Sequence, residues 1–222
     1  MSSAAVMEVV DKVRAGIRLN QDDGEVLFRS GDLRTIGTLA NEVRERRHGD
    51  VTYFNRNLHI NATNVCDATC IFCSFSRLRT GDPNAYTLSL EQSLDRIRAL
   101  KDAFITEVHI VNGLNPDLPF SYYTDLLRAI HDERPDLHIK GFTAVEIHYY
   151  AEKYGGTYES ILAKLIDAGL GSMPGGGAEI FAHRARRKLC HDKVDADGWL
   201  QVHRTAHKMG LRTNCTMLFG SI

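Results

Sequence analysis

The sequence has no apolar run long enough to cross a membrane or to serve as a secretory leader. Its amino terminus, Met1 to Val13, is interrupted by Glu8, Asp11 and Lys12, so neither a membrane span nor a signal peptide is expected there. There is no excess of either charge. Lys and Arg number 27, Asp and Glu 28, for a formal net charge of −1, which argues against a nucleic-acid grip built on bulk positive charge. Proline is scarce, and no Pro- or Ser-rich linker, low-complexity tract or internal repeat divides the chain. Cysteine is also scarce. Five is an odd number, and three of them fall within eight residues, a poor disulfide framework and a better metal or redox pattern in a reducing cytoplasm. What remains, 222 residues that are 43% hydrophobic and 25% charged, suits a globular chain of one large or two small domains with a substantial core.

The first fifty residues read as helical. Val6, Val9, Val10 and Val13 recur at helical spacing. Asp22-Asp23-Gly24 opens a short second segment through Val26, Leu27 and Phe28. Asp32 caps a third, with Leu33, Ile36, Leu39, Ala40 and Val43 on one face and a basic end from Arg44 to Arg47. The pattern changes at residue 51. Strands are expected at Val51–Ile60, Glu107–Val111, Leu137–Phe142, Gly171–Met173 and Thr213–Phe219. Between them lie helices: one opened by the capping box Ser89-Leu90-Glu91-Gln92, then Phe120–Ile130, 144–154, 158–168 and 195–209. Strands joined by helices of this length predict parallel βαβ units with right-handed crossovers. The expectation is a helical extension over 1–50 and an α/β core over 51–222. Its functional residues should follow the carboxyl ends of the strands.

The strongest motif is Cys66-Asp67-Ala68-Thr69-Cys70-Ile71-Phe72-Cys73, a C-x3-C-x2-C spacing in the loop after the first strand. Three thiolates from one short loop suit a soft metal centre. A [4Fe–4S] cube usually takes four thiolates, so three leave one iron open to a ligand. The alternative is zinc held by the three cysteines and a nearby histidine such as His59; no second C-x2-C exists to complete a zinc module. Cys190 and Cys215 stand alone and read as ordinary small hydrophobes.

Three further loops follow predicted strands. Asn112-Gly113 can expose backbone to a ligand or simply turn the chain. Glu146 can bond a ribose hydroxyl or polar substrate group, or sit as an acid at a helix start. Gly175-Gly176-Gly177, ahead of Glu179, can form an anion-binding nest. It lacks the Lys-Ser/Thr ending of a phosphate loop.

The cysteine spacing, its place after the first strand and Phe72 before the last cysteine resemble the radical S-adenosylmethionine (SAM) superfamily. The resemblance implies a partial (β/α) TIM-type barrel, here with five parallel strands. It implies that Cys66, Cys70 and Cys73 hold a [4Fe–4S] cluster whose open iron is chelated by SAM, with Phe72 against the adenine. The family usually has Gly-Gly where Asn112-Gly113 stands, meeting the methionine amino group. By the same resemblance Gly175, Gly176 and Gly177 contact SAM, and Glu179, with Glu146, makes the polar contacts to SAM or substrate.

Asn64 to Arg77 and Ser172 to Ile180 resemble the menaquinone and deazaflavin branch of that superfamily. Lys140 to Ile147, Trp199 to His207 and Thr213 to Gly220 resemble its aminofutalosine synthase family, with Cys215 and Ser221 as departures. That resemblance implies addition of the 5′-deoxyadenosyl group of SAM to the enol-ether bond of 3-[(1-carboxyvinyl)oxy]benzoate, giving 6-amino-6-deoxyfutalosine. The partners would be that small molecule and an electron donor such as flavodoxin or ferredoxin, with no nucleic acid and no membrane. Dehypoxanthine futalosine cyclase, a deazaflavin (FO) synthase component and a non-catalytic metal-cluster protein are the alternatives. For the two carboxylates of the benzoate, Arg77, His203, Arg204, His207 and Asn214 are candidate partners. A chain that stops just after an apolar fifth strand, with no helix to cover it, is expected to be an amino-terminal fragment of a longer enzyme.

Overall fold

The computed structural model describes residues 3–218 and 220. The chain divides into two compact units, Met1–Phe54 and Asn55–Ile222.

The first unit is three helices: α1 (Ser3–Arg14), α2 (Gln21–Arg29) and α3 (Leu33–His48). The valine stripe of α1 places Val6 and Val10 against Leu39 of α3, with Val13 and Val26 at the margin. Asp32 caps α3 by accepting the Thr35 N–H. The start of α2 differs from the expectation. Asn20 is the cap, and Asp23 is its return partner, taking the Asn20 N–H at 3.0 Å while Asn20 takes the Asp23 N–H at 2.9 Å. A reciprocal box satisfies two end groups, which an Asp22-Asp23-Gly24 start cannot do. Leu33, placed by its spacing on one face with Leu39, is exposed and points away from this small core, as does Phe28.

The second unit is a βα alternation: β1 (Asn57–His59), α4 (Leu90–Arg98), β2 (Glu107–Ile110), α5 (Phe120–Glu133), β3 (His138–Gly141), α6 (Ala144–Tyr154), α7 (Tyr158–Asp167), β4 (Ser172–Met173), α8 (His183–Leu189), α9 (Ala196–Lys208) and β5 (Arg212–Thr213). The strands form one sheet in the order β1-β2-β3-β4-β5, every neighbouring pair parallel. These are the parallel βαβ units that the alternation implied, in the partial (β/α) barrel that the family resemblance implied. The capping box Ser89/Gln92 is present at α4, and Thr143/Glu146 makes a second at α6. Helices cover the outer face of the sheet. Tyr123, Leu126, Leu127 and Ile130 of α5 are fully buried, the three aliphatic side chains each contributing about 1.5–3 kcal/mol over an exposed position. Among the described residues no helix is long and apolar enough to cross a membrane.

Two strands are shorter than expected. Val51, Tyr53 and Phe54 are exposed and belong to the first unit, so β1 begins only at Asn57. At the other end, β4 stops before Pro174, which has no N–H for a ladder, and β5 loses its partner after Thr213. Beyond it the backbone follows the loop after β4 instead. Asn214, Thr216 and Leu218 donate to the carbonyls of Met173, Gly175 and Glu179. Phe219, also expected in this strand, lies outside the described residues.

Candidate functional site

The cysteine loop leaves β1 and is tied down on both sides by its own backbone. Cys66 N–H donates to Arg77 O and Arg77 N–H to Asn64 O, both at 2.8 Å, and Asp67 N–H donates to Leu114 O at 2.9 Å. Farther along, Ile71 N–H reaches Leu189 O at 3.0 Å. Thr69 donates both its N–H, at 2.8 Å, and its hydroxyl to Asp192 Oδ2. The Arg77 guanidinium serves the loop itself, donating to the carbonyls of Ser74, Phe75, Ser76 and Pro83.

This loop brings Cys66, Cys70 and Cys73 to one wall of a cavity of about 320 Å³ at the carboxyl end of the sheet. Phe72, Asn112 and Gly113 also line it. So do Glu146, Gly176, Gly177 and Glu179. The structure therefore brings together all but one of the residues expected to hold the cluster and to contact SAM. The exception is Gly175, which packs on the chain after β5: a Cβ there would stand 2.6 Å from Asn214 C and Cys215 N.

Glu146 takes the second of the readings its position allowed, an acid at a helix start, and it also lines the cavity. It is the N3 residue of the α6 capping box, taking the Thr143 N–H at 2.7 Å, and its other oxygen takes the Asn112 N–H at 3.0 Å. It therefore fixes the loop after β2 while lining the cavity. Burial pushes its carboxyl up to about 7, against the hydrogen bonds from Thr143 and Asn112. Asn112 is buried, and its Oδ1 accepts the Ala62 N–H at 2.7 Å. At Gly113 a Cβ would be driven into the carbonyl oxygen of Val65, so the close approach of this turn to the cysteine loop requires glycine.

The glycine loop has a buried scaffold that the motif did not reveal. Arg186 of α8 donates to the carbonyls of Gly177, Ala178, Ile180 and Val194. Trp199 Nε1 donates to Gly176 O at 3.1 Å. Glu179 follows with φ 47°, a left-handed conformation that is rare outside glycine and collects at functional sites.

Lys193, in the connection between α8 and α9, is the main site residue that sequence reasoning missed. Its Nζ lies 2.9 Å from Glu179 and 5.3 Å from the centre of the Phe72 ring. Burial works against its charge, but the Glu179 bond and the nearby thiols outweigh this and raise its pKa. No spacing rule connects a lysine 14 residues downstream to the glycine loop, so nothing local marked it. Burial acts on the thiols as well. It raises the pKa of Cys66 and takes Cys70 to about 11, with Lys193 the leading opposing influence on Cys70.

The five candidate carboxylate partners do not reach the cavity. Arg77 is occupied by carbonyls, as above. His203 is buried against Trp199, ring centres 3.9 Å apart, and burial followed by the nearby His207 holds its pKa down at about 4. His207 bonds Thr213, Arg204 is exposed on α9, and Asn214 follows β5. Helical periodicity marks a face but not which surface that face meets. Cys190 is buried at the end of α8, and Cys215 is exposed away from the cavity.

The cysteines suit a cluster. Three soft thiolate donors from one loop, each able to take a different iron, are the donor set that such a cube uses.

The radical SAM superfamily model matches residues 60–221. The chain belongs to the radical SAM superfamily. It is 45% identical over 222 residues to aminodeoxyfutalosine synthase of Streptomyces coelicolor, covering 100% of this chain and 57% of that protein. It is 42% identical over 216 residues to a 5-amino-6-(D-ribitylamino)uracil–L-tyrosine 4-hydroxyphenyl transferase of Methanopyrus kandleri, covering 97% of this chain and 57% of that protein. The chain thus spans little more than half the length of these relatives. Among solved structures, the FeFe-hydrogenase maturase HydG from Carboxydothermus hydrogenoformans superposes with a TM-score of 0.69 at 20% identity, covering 98% of this chain and 49% of that one. This is a likeness of fold.

Proposed function

We propose that the chain acts in the aminodeoxyfutalosine synthase reaction, with Cys66, Cys70 and Cys73 holding a [4Fe–4S] cluster. The observation that carries this is the shared cavity, in which three thiols of one loop face the glycine loop and the Glu179–Lys193 pair. When bound, the cluster would supply the electron that releases methionine from SAM; the 5′-deoxyadenosyl group would add to the enol-ether bond of 3-[(1-carboxyvinyl)oxy]benzoate, and rearrangement with loss of the vinyl carboxyl carbon would give 6-amino-6-deoxyfutalosine. The protein supplies position, charge and shelter from water.

Lys193 presents the buried positive charge that a carboxylate of SAM needs, and Glu179 orients it. The backbone at Asn112-Gly113, fixed by Glu146, is open to the amino group of methionine. Phe72 and the face of Gly176-Gly177 offer an apolar, close-approach surface to the adenosine. Asn112-Gly113 thus does with one glycine what the family does with two. A cytoplasmic setting and a flavodoxin- or ferredoxin-like electron donor belong to the same reading. The 45% identity to the Streptomyces protein supports it, as do the stretches around Lys140–Ile147 and Trp199–His207. The 42% identity to the hydroxyphenyl transferase favours a deazaflavin-synthase reaction as the second reading.

Anaerobic reconstitution should give about four irons and four sulfides per chain, lost on Cys66→Ala, Cys70→Ala or Cys73→Ala and retained on Cys190→Ala. Zinc without labile sulfide would overturn the cluster assignment. Incubation with SAM, a reductant and the enol-ether benzoate should give an adenosyl adduct detectable by mass. Turnover of SAM with tyrosine and the ribityl uracil, without that adduct, would select the second reading.

A further inference from the structure

Cys70 of the cysteine loop and Cys190 at the end of α8 meet across a backbone seam. Ile71 N–H donates to Leu189 O at 3.0 Å. This bond joins the peptide unit that follows Cys70 to the peptide unit that precedes Cys190. In a trans peptide the preceding Cα lies on the side of the N–H hydrogen, and the following Cα lies on the side of the carbonyl oxygen. Standard bond lengths then leave the Cα atoms of Cys70 and Cys190 roughly 4–7 Å apart, whatever the twist between the two planes. A disulfide asks for about 4.4–6.8 Å.

The two side chains share one space. Cys190 is among the groups whose charge Cys70 feels, and the Lys193 ammonium feels both thiols. The seam is held at a second point, where Thr69 N–H donates to Asp192 at 2.8 Å. Behind it, Lys193 N–H donates to Cys190 O at 3.2 Å. Loop and helix end are thus fixed to each other, and the pair can bond without movement of the backbone. The thiols differ in access. Cys70 lines the cavity, while Cys190 is 1% exposed. The reaction proposed above makes no use of Cys190.

We infer that Cys70 and Cys190 form a reversible disulfide when Cys70 holds no metal, a latch in which Cys70 bonds either iron or sulfur and never both. The oxidant is a small-molecule disulfide such as oxidised glutathione, entering through the cavity. The Cys70 sulfur attacks it, releases one glutathione and forms a mixed disulfide; the Cys190 sulfur then displaces the second glutathione. Two thiols lose their hydrogens and two electrons, and the oxidant leaves as two thiols. An added thiol reductant reverses the exchange. That iron is the competitor rests on the cluster proposed above; the disulfide rests on the seam alone. Cys73 is the rival partner, since its N–H donates to Cys70 O at 3.1 Å. It is exposed, whereas Cys190 is buried, so a Cys70–Cys190 bond is the one shielded from reductants in solvent. That bond also closes a far longer loop, which constrains the unfolded chain more.

The test maps disulfides in the full chain, stripped of metal under reductant and then equilibrated with oxidised glutathione. Trypsin leaves Cys66, Cys70 and Cys73 in one peptide, residues 57–77, and Cys190 in another, residues 189–193. Mass spectrometry of the unreduced digest should show these two peptides joined with loss of two hydrogens. The joined species should persist in Cys66→Ser and Cys73→Ser and vanish in Cys70→Ser and Cys190→Ser. The oxidised wild type should take up no iron–sulfur cluster until a thiol reductant is added, and a chain already reconstituted should resist the joining. A disulfide confined to residues 57–77, a joined species that survives Cys70→Ser, or no disulfide at all overturns the latch. The two proposals fail separately. Joined peptides from a chain that reconstitutes with zinc and no sulfide leave the latch standing without the cluster. A four-iron chain whose stripped form gives no joined peptides leaves the cluster standing without the latch.

Discussion

Glu146 Oε1 accepts the backbone N–H of Asn112 at 3.0 Å and so locks the start of α6 to the turn after β2. Burial holds this carboxyl at about 7, above its ordinary 4.5. A group whose folded pKa is raised gives its full stabilisation below the unfolded value, and that contribution is lost as pH rises through the folded pKa. The window therefore runs from pH 4.5 to about 7. The whole effect is roughly 3 kcal/mol at 1.36 kcal/mol per unit. Glu146→Gln removes the titration. Fluorescence of Trp199, the single tryptophan, should report a urea midpoint that falls from about pH 5 to pH 7.5 in the wild type and is flatter in the variant. Equal slopes would assign the pH dependence elsewhere.

Gly113 and Gly176 both line the cavity but should tolerate alanine very differently. At Gly113 the new methyl meets a backbone oxygen, Val65 O, which cannot move without shifting Cys66 beside it. At Gly176 the nearest atom is Thr143 Cγ2 at 3.1 Å, a side-chain methyl with some freedom to give. Gly113→Ala is expected to cost about 3 kcal/mol or more, at the diagnostic end of single substitutions, and to lower iron uptake. Gly176→Ala should cost about 1 kcal/mol, in the usual range for mild overpacking, and keep its iron. Urea midpoints and iron content on reconstitution measure both.

Arg186 should behave as a structural keystone of the glycine loop. It is 6% exposed, and its donors serve four carbonyls. Arg186→Met leaves those acceptors unpaired in the interior, at about 1–3 kcal/mol for each that finds no other partner. The expected result is a chain that is insoluble or lacks a cooperative transition. Arg186→Lys should rescue only partly, because an ammonium is a point donor where the guanidinium is a planar fork. Full rescue by lysine would mean that charge matters here and geometry does not.

The sequence was most legible where chemistry is local. Cys66–Cys73 sits in one loop, and Ser89/Gln92 and Asp32 are caps whose partners lie three residues away. Strand–helix alternation was enough to give the parallel pairing. Strand lengths were not legible, because β5 ends where its neighbour reaches Pro174 and the glycine loop, a fact about a residue 39 positions upstream of Thr213. The five basic or amide candidates for substrate were misplaced because a residue type does not say which surface it meets. His203 faces Trp199 and Arg77 faces its own loop. Lys193 and Arg186 were missed because each acts on the glycine loop from a separate element, and only folding brings them there.

Lys193 gives the sharpest test of the cavity's electrostatics. It is a half-buried cation with an acid partner at 2.9 Å, and its charge is felt by the thiols. Lys193→Met keeps much of the side-chain volume but removes the charge, leaving Glu179, itself 15% exposed, without its counter-ion. Breaking a buried pair in this way costs about 3–5 kcal/mol where burial is complete, and somewhat less here because both groups retain partial exposure. If the ammonium also receives the SAM carboxylate, SAM affinity should fall by about tenfold or more, the loss expected for one charge-assisted bond. Lys193→Arg should retain stability and part of the affinity. The double variant Lys193→Met with Glu179→Gln separates the two roles: it should recover stability by removing the stranded acid, while SAM binding stays weak. Recovery of SAM binding in the double variant would show that Lys193 serves only to neutralise Glu179.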